Sequence, residues 1–265
     1  VKHTAPERIY KVEVSVPTLK EQARIAELLD GYDDLIETNR RRIALLEESA
    51  RLLYREWFVK LRYPGHDTTE AIPTGWHVGN AHEFIHVASG GTPNTKTDHF
   101  WGGDIPFFTP KDCTNSVYVL ETEKSISDDG LNSCNSRLYA KETIFITARG
   151  TVGKLALAQK PMAMNQSCYA LLPRDGIDNL FLFLALEDGV NHLKTMASGG
   201  VFDAIVVDTF KWMPFTYPSK ELANLFGLRV RPIFDQIECL LVQTKLLSAA
   251  RDELLPRLMS GQIKV

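Results

Sequence analysis

The sequence predicts an α+β protein, in which a globular domain with a twisted β-sheet is combined with two long helices that form an antiparallel coiled coil. Three observations lead to this fold class. Each end of the 265-residue chain carries an apolar seam with helical spacing, the two seams are 201 positions apart, and the stretch between them is rich in turns and β-prone runs. We therefore expect four segments, namely residues 1–17, 18–63, 64–217 and 218–265.

The composition is that of a globular protein with substantial cores, because 44% of the residues are hydrophobic and 24% are charged. This composition excludes a disordered chain. The longest clear apolar run is LFLFLAL at residues 180–186, far shorter than the roughly 18 residues that a membrane-spanning helix needs. No signal-peptide pattern opens the chain, so we expect a cytoplasmic protein.

The cysteines and the net charge argue against several kinds of site. Cys113, Cys134, Cys168 and Cys239 lie far apart without a CxxC pair, which favours reduced thiols, and we expect neither a metal nor a cofactor. The net charge of -3 does not favour nucleic-acid binding, since phosphates attract a basic face. The local distribution of charge must therefore indicate any DNA-binding surface.

An internal repeat defines the two helical segments. A shift of 201 positions places Pro17 on Pro218, Asp34 on Asp235 and Leu46 on Leu247. The residues before each proline alternate in the manner of a strand, as Val12, Val14 and Val16 and as Met213, Phe215 and Tyr217. We expect one unit, a strand followed by a long helix, to occur twice.

Each helix carries a seam spaced alternately by four and three residues. The first seam consists of Ile25, Leu29, Tyr32, Ile36, Asn39, Ile43, Leu46, Ala50, Leu53 and Trp57. The second consists of Phe226, Val230, Ile233, Ile237, Leu240, Thr244, Leu247, Arg251, Leu254 and Leu258. Gly31 and Pro232 occupy matching positions and predict that a short first helix bends there into a main helix, over residues 33–60 in the first copy. The seams favour an intramolecular antiparallel pair, and the alternative is a bundle core.

The intervening segment has the pattern of an α+β globule. TIFIT at residues 143–147 and LALA at residues 155–158 predict strands, whereas LFLFLAL is compatible with a buried strand or a helix. Glycine-containing turn signals separate these runs. They include SGGTPN from Ser89, WGGD from Trp101 and DDG from Asp128.

Several motifs along the chain are distinctive. The helical segments contribute VPTLKEQARIAELLDGYDDLIETNRRRIALLE and DELLPRLMSGQI, and the globule contributes IPTGWHVG, SGGTPNTKTDHFWGGDIPFFTPKD, ISDDGL, ITARGTVGK, MNQS and SGGVFDAI. In content and order, these motifs resemble the specificity subunit of type I restriction-modification systems. The resemblance implies a non-catalytic subunit in which two target-recognition domains, held apart by two antiparallel helices, each read half of a split DNA target.

The resemblance also implies partners. These are double-stranded DNA, two copies of an adenine methyltransferase (modification) subunit, and an ATP-driven restriction subunit that translocates and cleaves DNA. This chain has one recognition domain, and residues 1–17 resemble the closing strand of another. We therefore expect either the distal half of a longer subunit or a natural half-subunit that pairs with itself.

Basic and amide side chains give the candidate DNA contacts. Residues 137–160 contain Arg137, Lys141, Arg149, Lys154 and Lys160 against one acid, which indicates a basic strip or, alternatively, a solvated strand face. The loop from Gly90 and the amides after Met164 could contact phosphates and base edges or could serve turns, as could Gly199 and Gly200. The predicted DNA-binding residues are Thr92, Asn94, Lys96, Lys111, Arg149, Thr151, Lys154, Asn165 and Gln166.

Two other hypotheses remain, and neither of them predicts a non-catalytic chain that reads DNA. The run Glu-Thr-Glu-Lys at residues 121–124 is similar to the Glu-x-Lys sequence of metal-dependent nucleases, and Asp104 or Asp112 could supply a further carboxylate for magnesium. The second alternative is a coiled-coil scaffold without DNA binding. GTVGK at residues 150–154 lacks the early glycine and the Ser/Thr of a phosphate-binding P-loop. We predict no catalytic residue.

Overall fold

The structure is a computed structural model that describes residues 6–11, 16–66, 73, 75–114, 116–196 and 204–264. The strand predicted around Val12 and Val14 lies outside these residues, as do Gly199 and Gly200. In the described part of the 1–17 segment, Pro6–Ile9 forms a short helix. No described helix is both long enough and apolar enough to cross a membrane.

Helices and strands alternate through the described residues. The helices are α1 (Pro6–Ile9), α2 (Leu19–Tyr54), α3 (Ala81–Phe84), α4 (Asp128–Asn132), α5 (Asn179–Met196), α6 (Val207–Trp212) and α7 (Lys220–Met259), with a π-helix at Arg55–Val59 and a 3-10 helix at Asp98–Phe100. The strands are β1 (His77–Asn80), β2 (Ile85–Ser89), β3 (Trp101–Phe108), β4 (Tyr118–Val119), β5 (Lys124–Ile126), β6 (Ile144–Thr147), β7 (Leu155–Ala158), β8 (Ala163–Met164), β9 (Cys168–Pro173) and β10 (Pro214–Tyr217).

The chain divides into two compact units. One comprises Val1–Ala44 with Cys239–Val265, and the other comprises Leu45–Glu238. Each long helix contributes to both units, because α2 continues past Ala44 and α7 begins before Cys239. The first unit is therefore a helical pair, and the second contains every described strand.

The helical pair of the first unit is antiparallel. Asn39 contacts Gln243 and Asp33 contacts Arg251, so residue numbers rise along one helix as they fall along the other. Ile36, on the same seam, is 2% exposed. The predicted seam is buried throughout the pair, fully at Ile25, Ile36, Asn39, Ile43, Leu240 and Leu258 and partly at Leu29, Tyr32, Thr244, Leu247, Arg251 and Leu254. The predicted antiparallel helices are confirmed.

Neither helix is divided where the sequence predicts a short first helix. Both α2 and α7 run without interruption, through Gly31 and Pro232 respectively, and span about 54 Å and 60 Å at roughly 1.5 Å per residue. A glycine in a helix costs only about 1 kcal/mol, and Gly31 is exposed. Pro232 costs more, but Val230 and Phe234, which are fully buried on either side of it, hold the helix in place.

An aromatic cluster joins the π-helix, α5 and α7 in the second unit. The π-helix Arg55–Val59 presents Trp57 and Phe58, whose rings lie 5.4 Å and 4.9 Å from Phe226 of α7. Phe58 also lies 4.9 Å from Phe181 of α5. The run LFLFLAL is helical, because it lies within α5, and all of its side chains are buried.

The second unit contains three sheets. The largest has the order β2-β9-β6-β7-β4 and is antiparallel except for the β4–β7 pair. The predicted strands TIFIT and LALA are its central β6 and β7, and every residue of β6 is buried. The smaller sheets are β5-β3-β8 and β1-β10, the latter confirming the strand predicted before Pro218.

Two predicted turns are part of regular elements. WGGD lies inside β3, where the register to β5 shifts between Trp101 and Ile105 and Gly102 has a φ of +77°. The glycines therefore form a bulge rather than a chain reversal. DDG lies in α4, because Ser127 caps this helix by accepting a hydrogen bond from the Gly130 N–H at 3.1 Å.

Candidate nucleic-acid interface

The turn between β6 and β7 presents Arg149 to solvent. Gly150 and Gly153 have φ angles of +82° and +76°, a conformation that glycine adopts without steric cost. The fully buried hydroxyl of Thr147 accepts a hydrogen bond from the Lys154 N–H at 3.0 Å and closes the turn. Arg149 is thus an exposed cation on a short, well-anchored turn.

A second turn carries Lys111 and is tied to the residue before β5. Asp112 accepts hydrogen bonds from the N–H and hydroxyl of Thr109, at 2.8 Å and 2.7 Å. Its other carboxylate oxygen accepts the Glu123 N–H at 2.7 Å. Because one carboxylate holds both backbones, Lys111 and Glu123 are presented next to each other, with Nζ and Oε2 3.7 Å apart.

These two turns and the start of β5 enclose a cleft of about 370 Å³, which we call the central cleft. Its charged lining residues are Lys111, Lys124, Arg149 and Glu123, three cations against one carboxylate. Asn165 and Ser167 also line this cleft. Three of the predicted DNA-binding residues, Lys111, Arg149 and Asn165, are therefore brought together, although the chain as a whole is acidic.

Thr92 and Gln166 lie in a neighbouring cleft of about 420 Å³, which we call the Gln166 cleft. The Thr92 hydroxyl donates a hydrogen bond to Oε1 of Gln166, which leaves the Gln166 amide N–H groups as donors. Asn165, the preceding residue, accepts the Ser167 N–H with its side-chain oxygen at 3.0 Å. Asn165 thus shapes a turn, while Gln166 is exposed and can present its amide.

A third cleft, of about 470 Å³, adjoins the central cleft and is called the Trp101 cleft. Glu123 and Lys124 line both clefts, so these two residues form the boundary between them. The Lys124 ammonium lies 5.5 Å from the centre of the Trp101 ring, a cation–π distance. The central cleft and the Trp101 cleft share residues, and the central cleft and the Gln166 cleft have the consecutive residues Asn165 and Gln166. We call the lining residues of the three clefts together the polar surface.

The remaining predicted residues lie outside these clefts. Asn94 and Lys96 are exposed in the loop after β2, where Oδ1 of Asn94 accepts the Lys96 N–H at 3.0 Å. Thr151 is exposed beside Arg149, with its hydroxyl 3.5 Å from the carbonyl of Pro110. These three side chains flank the polar surface, and none lines the central cleft.

The predicted basic strip of residues 137–160 is divided by the fold. Lys141 forms an ion pair with Glu238 at 2.8 Å. Lys154 lines a separate cleft of about 200 Å³ with Arg51 and Lys194. Burial, together with the nearby Lys154 charge, lowers the pKa of Lys194, and its ammonium donates to the Gly153 carbonyl at 2.8 Å. Only Arg149 of the strip lines the central cleft.

The acidic residues of the nuclease hypothesis have other roles in the structure. Both oxygens of Asp112 accept backbone N–H groups, and Glu123 faces Lys111. Across residues 6–11, 16–66, 73, 75–114, 116–196 and 204–264, no three His, Cys, Asp or Glu side chains form a metal-binding group. Within the part of the chain that the structure describes, residues 121–124 thus belong to no cluster of side chains suited to a metal ion.

Glu123, Lys124 and Trp101 were not predicted as DNA-binding residues. Lys124 enters the cleft because β5 pairs with β3 in a register that places it opposite Phe107. No local pattern in the sequence signals this pairing, since the strands are short and irregular. Only the tryptophan beside a glycine pair could have indicated the Trp101 cleft.

Comparison with known families assigns the chain. The family model of the type I restriction modification DNA specificity domain matches residues 73–222, more than half of the chain. The chain belongs to this family. The matched residues of the specificity domain include all three clefts of the polar surface.

Relatives of the specificity-domain family resemble the chain over different lengths. The type I restriction enzyme MjaIX specificity subunit of Methanocaldococcus jannaschii is 34% identical over 154 residues, which are 57% of this chain and 36% of the relative. The HindI specificity subunit of Haemophilus influenzae is 24% identical over 96% of this chain and 70% of the relative. The chain thus spans about a third to two thirds of these specificity subunits.

Solved structures share the fold. The S subunit of a type I restriction-modification system from M. genitalium superposes with a TM-score of 0.65 at 18% identity, over 91% of this chain and 61% of that one. The HsdS subunit from Thermoanaerobacter tengcongensis gives 0.51 at 20% identity, over 99% and 64%. The α+β fold with two long helices is therefore that of specificity subunits.

Proposed function

We propose that this chain is a non-catalytic DNA-recognition module that reads one half of a bipartite target for a type I restriction-modification enzyme. The observation that supports the proposal is the central cleft, which is lined by Lys111, Lys124 and Arg149 and lies within the residues that match the specificity domain. Phosphate contacts from such cations fix a protein on the duplex, and an arginine can read guanine in the major groove.

The proposal extends to partners and location. A solved structure with a similar fold concerns complex assembly of the type I restriction-modification system. This similarity supports assembly of the present chain with other subunits. We propose docking of two methyltransferase subunits and a restriction subunit, and self-pairing if the chain is a natural half-subunit. Such a complex would act on DNA in the cytoplasm.

Duplex selection tests the proposal. The full chain is incubated with a pool of randomised duplexes, and the bound fraction is sequenced after several rounds. A consensus half-site is expected, and binding to it should weaken by about tenfold or more in the double variant Lys111→Ala/Arg149→Ala.

The matched control is Arg137→Ala/Lys160→Ala, which removes the same charge from exposed residues outside the three clefts. This control should reduce affinity only slightly. Selection of no consensus by the parent chain, or equal losses in the two double variants, would contradict the proposal.

A further inference from the structure

One residue of the central cleft has the wrong charge for binding phosphate. Glu123 lines both the central cleft and the Trp101 cleft, and its side chain is 57% exposed. A carboxylate on a DNA-facing surface weakens binding by repelling the backbone. Its ion pair with Lys111, whose side chain is 80% exposed, is too accessible to water to contribute much to stability.

The backbone around Glu123 is nevertheless held firmly. The Glu123 N–H donates to Asp112 at 2.7 Å. The Thr122 hydroxyl donates to the carbonyl of Lys124 at 2.6 Å and accepts the Phe107 N–H at 3.1 Å. Glu123 is therefore presented from a fixed point, as a side chain that reads a base must be.

The chemistry of a carboxylate restricts what Glu123 can read. An ionised carboxylate only accepts hydrogen bonds. In the major groove, the donors are the N4 amino group of cytosine and the N6 amino group of adenine. Adenine places its N7 acceptor beside N6, which would repel a carboxylate, whereas cytosine presents no acceptor on that edge. Cytosine is therefore the better partner.

The neighbouring cation completes the match. Guanine presents only acceptors in the major groove, O6 and N7, and its O6 lies next to the cytosine amino group in the same base pair. Lys111 and Glu123 place an ammonium beside a carboxylate at 3.7 Å. This donor–acceptor pair is complementary to the edge of one G·C pair.

We propose that Glu123 is a specificity-determining residue, which accepts a hydrogen bond from N4 of a cytosine in the half-site while Lys111 donates to the paired guanine. The inference rests on the proposed DNA-recognition function. It differs from that function in predicting the identity of one base pair and the residue that selects it.

Selection with a charge-matched pair of variants tests the inference. The full-length parent chain, Glu123→Ala and the control Glu121→Ala are each used to select duplexes from the same randomised pool. Glu121 is exposed, lies two residues away, and lines none of the three clefts. The parent and the control should favour a G·C pair at one position by roughly 10- to 100-fold, and Glu123→Ala should favour it by about threefold or less.

A base analogue separates the hydrogen bond from general effects of charge. In the selected duplex, the cytosine is replaced by 2-pyrimidinone, which lacks the 4-amino group. The parent chain should lose about tenfold or more in affinity, and Glu123→Ala should lose clearly less. Thermal melting of each variant checks folding, which we expect to be unchanged because the substituted side chain is exposed.

The outcomes distinguish the two proposals. If the parent chain selects no consensus, both the proposed DNA recognition and the proposed role of Glu123 are contradicted. If the parent selects a consensus and Glu123→Ala selects the same one with equal discrimination at every position, the role of Glu123 is overturned and DNA recognition stands. Equal loss of affinity for the analogue in parent and variant also overturns the role of Glu123.

Discussion

Nδ2 of Asn39 donates a hydrogen bond to Oε1 of Gln243 at 3.2 Å, which links the two antiparallel helices through the polar position of the first seam. Asn39 is 4% exposed, whereas Gln243 is exposed to solvent. A buried asparagine on an apolar seam lowers stability but fixes the register of the helices. The register of this pair therefore depends on a contact that is weak in energy and specific in geometry.

Replacement of Asn39 by leucine separates these effects. Asn39→Leu should raise the free energy of unfolding by about 1 kcal/mol, because a buried amide is removed and Gln243 can turn to water. The distance distribution between spin labels at two exposed sites, Leu35 and Lys245, should broaden as the register becomes less defined. Thr38→Leu, at an exposed position, is the control. A less stable variant with an unchanged label distance would argue against this role.

The buried seam can be tested with two adjacent residues. Ile36 is 2% exposed and Leu35 is 52% exposed. Ile36→Asp should lower the free energy of unfolding by about 3 kcal/mol or more, since a charge is forced into an apolar interface. Leu35→Asp should change it by about 0.5 kcal/mol or less. Urea titrations followed by circular dichroism measure both, and similar losses would show that Ile36 is not buried.

Glu47 makes the stability depend on pH. Burial raises the pKa of Glu47 above its usual 4.5, although the Val117 N–H, 3.2 Å away, and Arg51 oppose the shift. The folded chain then holds this proton more tightly than the unfolded chain does. The contribution is therefore favourable at low pH, and the free energy of unfolding falls as the pH rises from about 4.5 through the raised pKa.

Glu47→Gln removes this contribution while keeping an acceptor for Val117. The free energy of unfolding of the variant, minus that of the parent chain, should increase between pH 4.5 and pH 8. Denaturant titrations at several pH values measure this difference, with the exposed Glu48→Gln as the control. A difference that is constant or decreases with pH would contradict the assignment.

A substitution at Gly90 tests how closely two backbone segments pack at the Gln166 cleft. A Cβ atom at this position would lie 2.1 Å from the backbone oxygen of Asn165, a contact that rigid backbone cannot accommodate. Gly90→Ala should lower the free energy of unfolding by about 2 kcal/mol or more. The exposed Ser89→Ala should have little effect. Equal stability of the two variants, measured by thermal melting, would show that the two backbones do not meet this closely.

The features that the sequence predicts are those with a local period. Ile25, Ile36 and Ile43 repeat on one helical face, so the seam and its partner requirement follow from spacing alone. The run at residues 180–186 has no such period, because a helix buried on all sides and a buried strand are both uniformly apolar. Its helical state depends on the surrounding aromatic cluster.

The polar surface depends on contacts between distant residues. Asp112 reaches Glu123, and the Arg149 turn lies against the same cleft through strand pairings that no spacing encodes. Basic residues close in sequence, such as Arg149 and Lys154, line different clefts because the β6–β7 turn reverses the chain between them. Sequence patterns therefore predict which kinds of residues lie at the polar surface better than they predict which residues line the same cleft.

Competitive titration of the full chain measures its central property most directly. Fluorescence anisotropy gives its affinity for the selected duplex and for a scrambled duplex of equal length, both at about 0.15 M salt. DNA recognition predicts at least about 100-fold tighter binding to the selected duplex. Equal affinities for the two duplexes would contradict it.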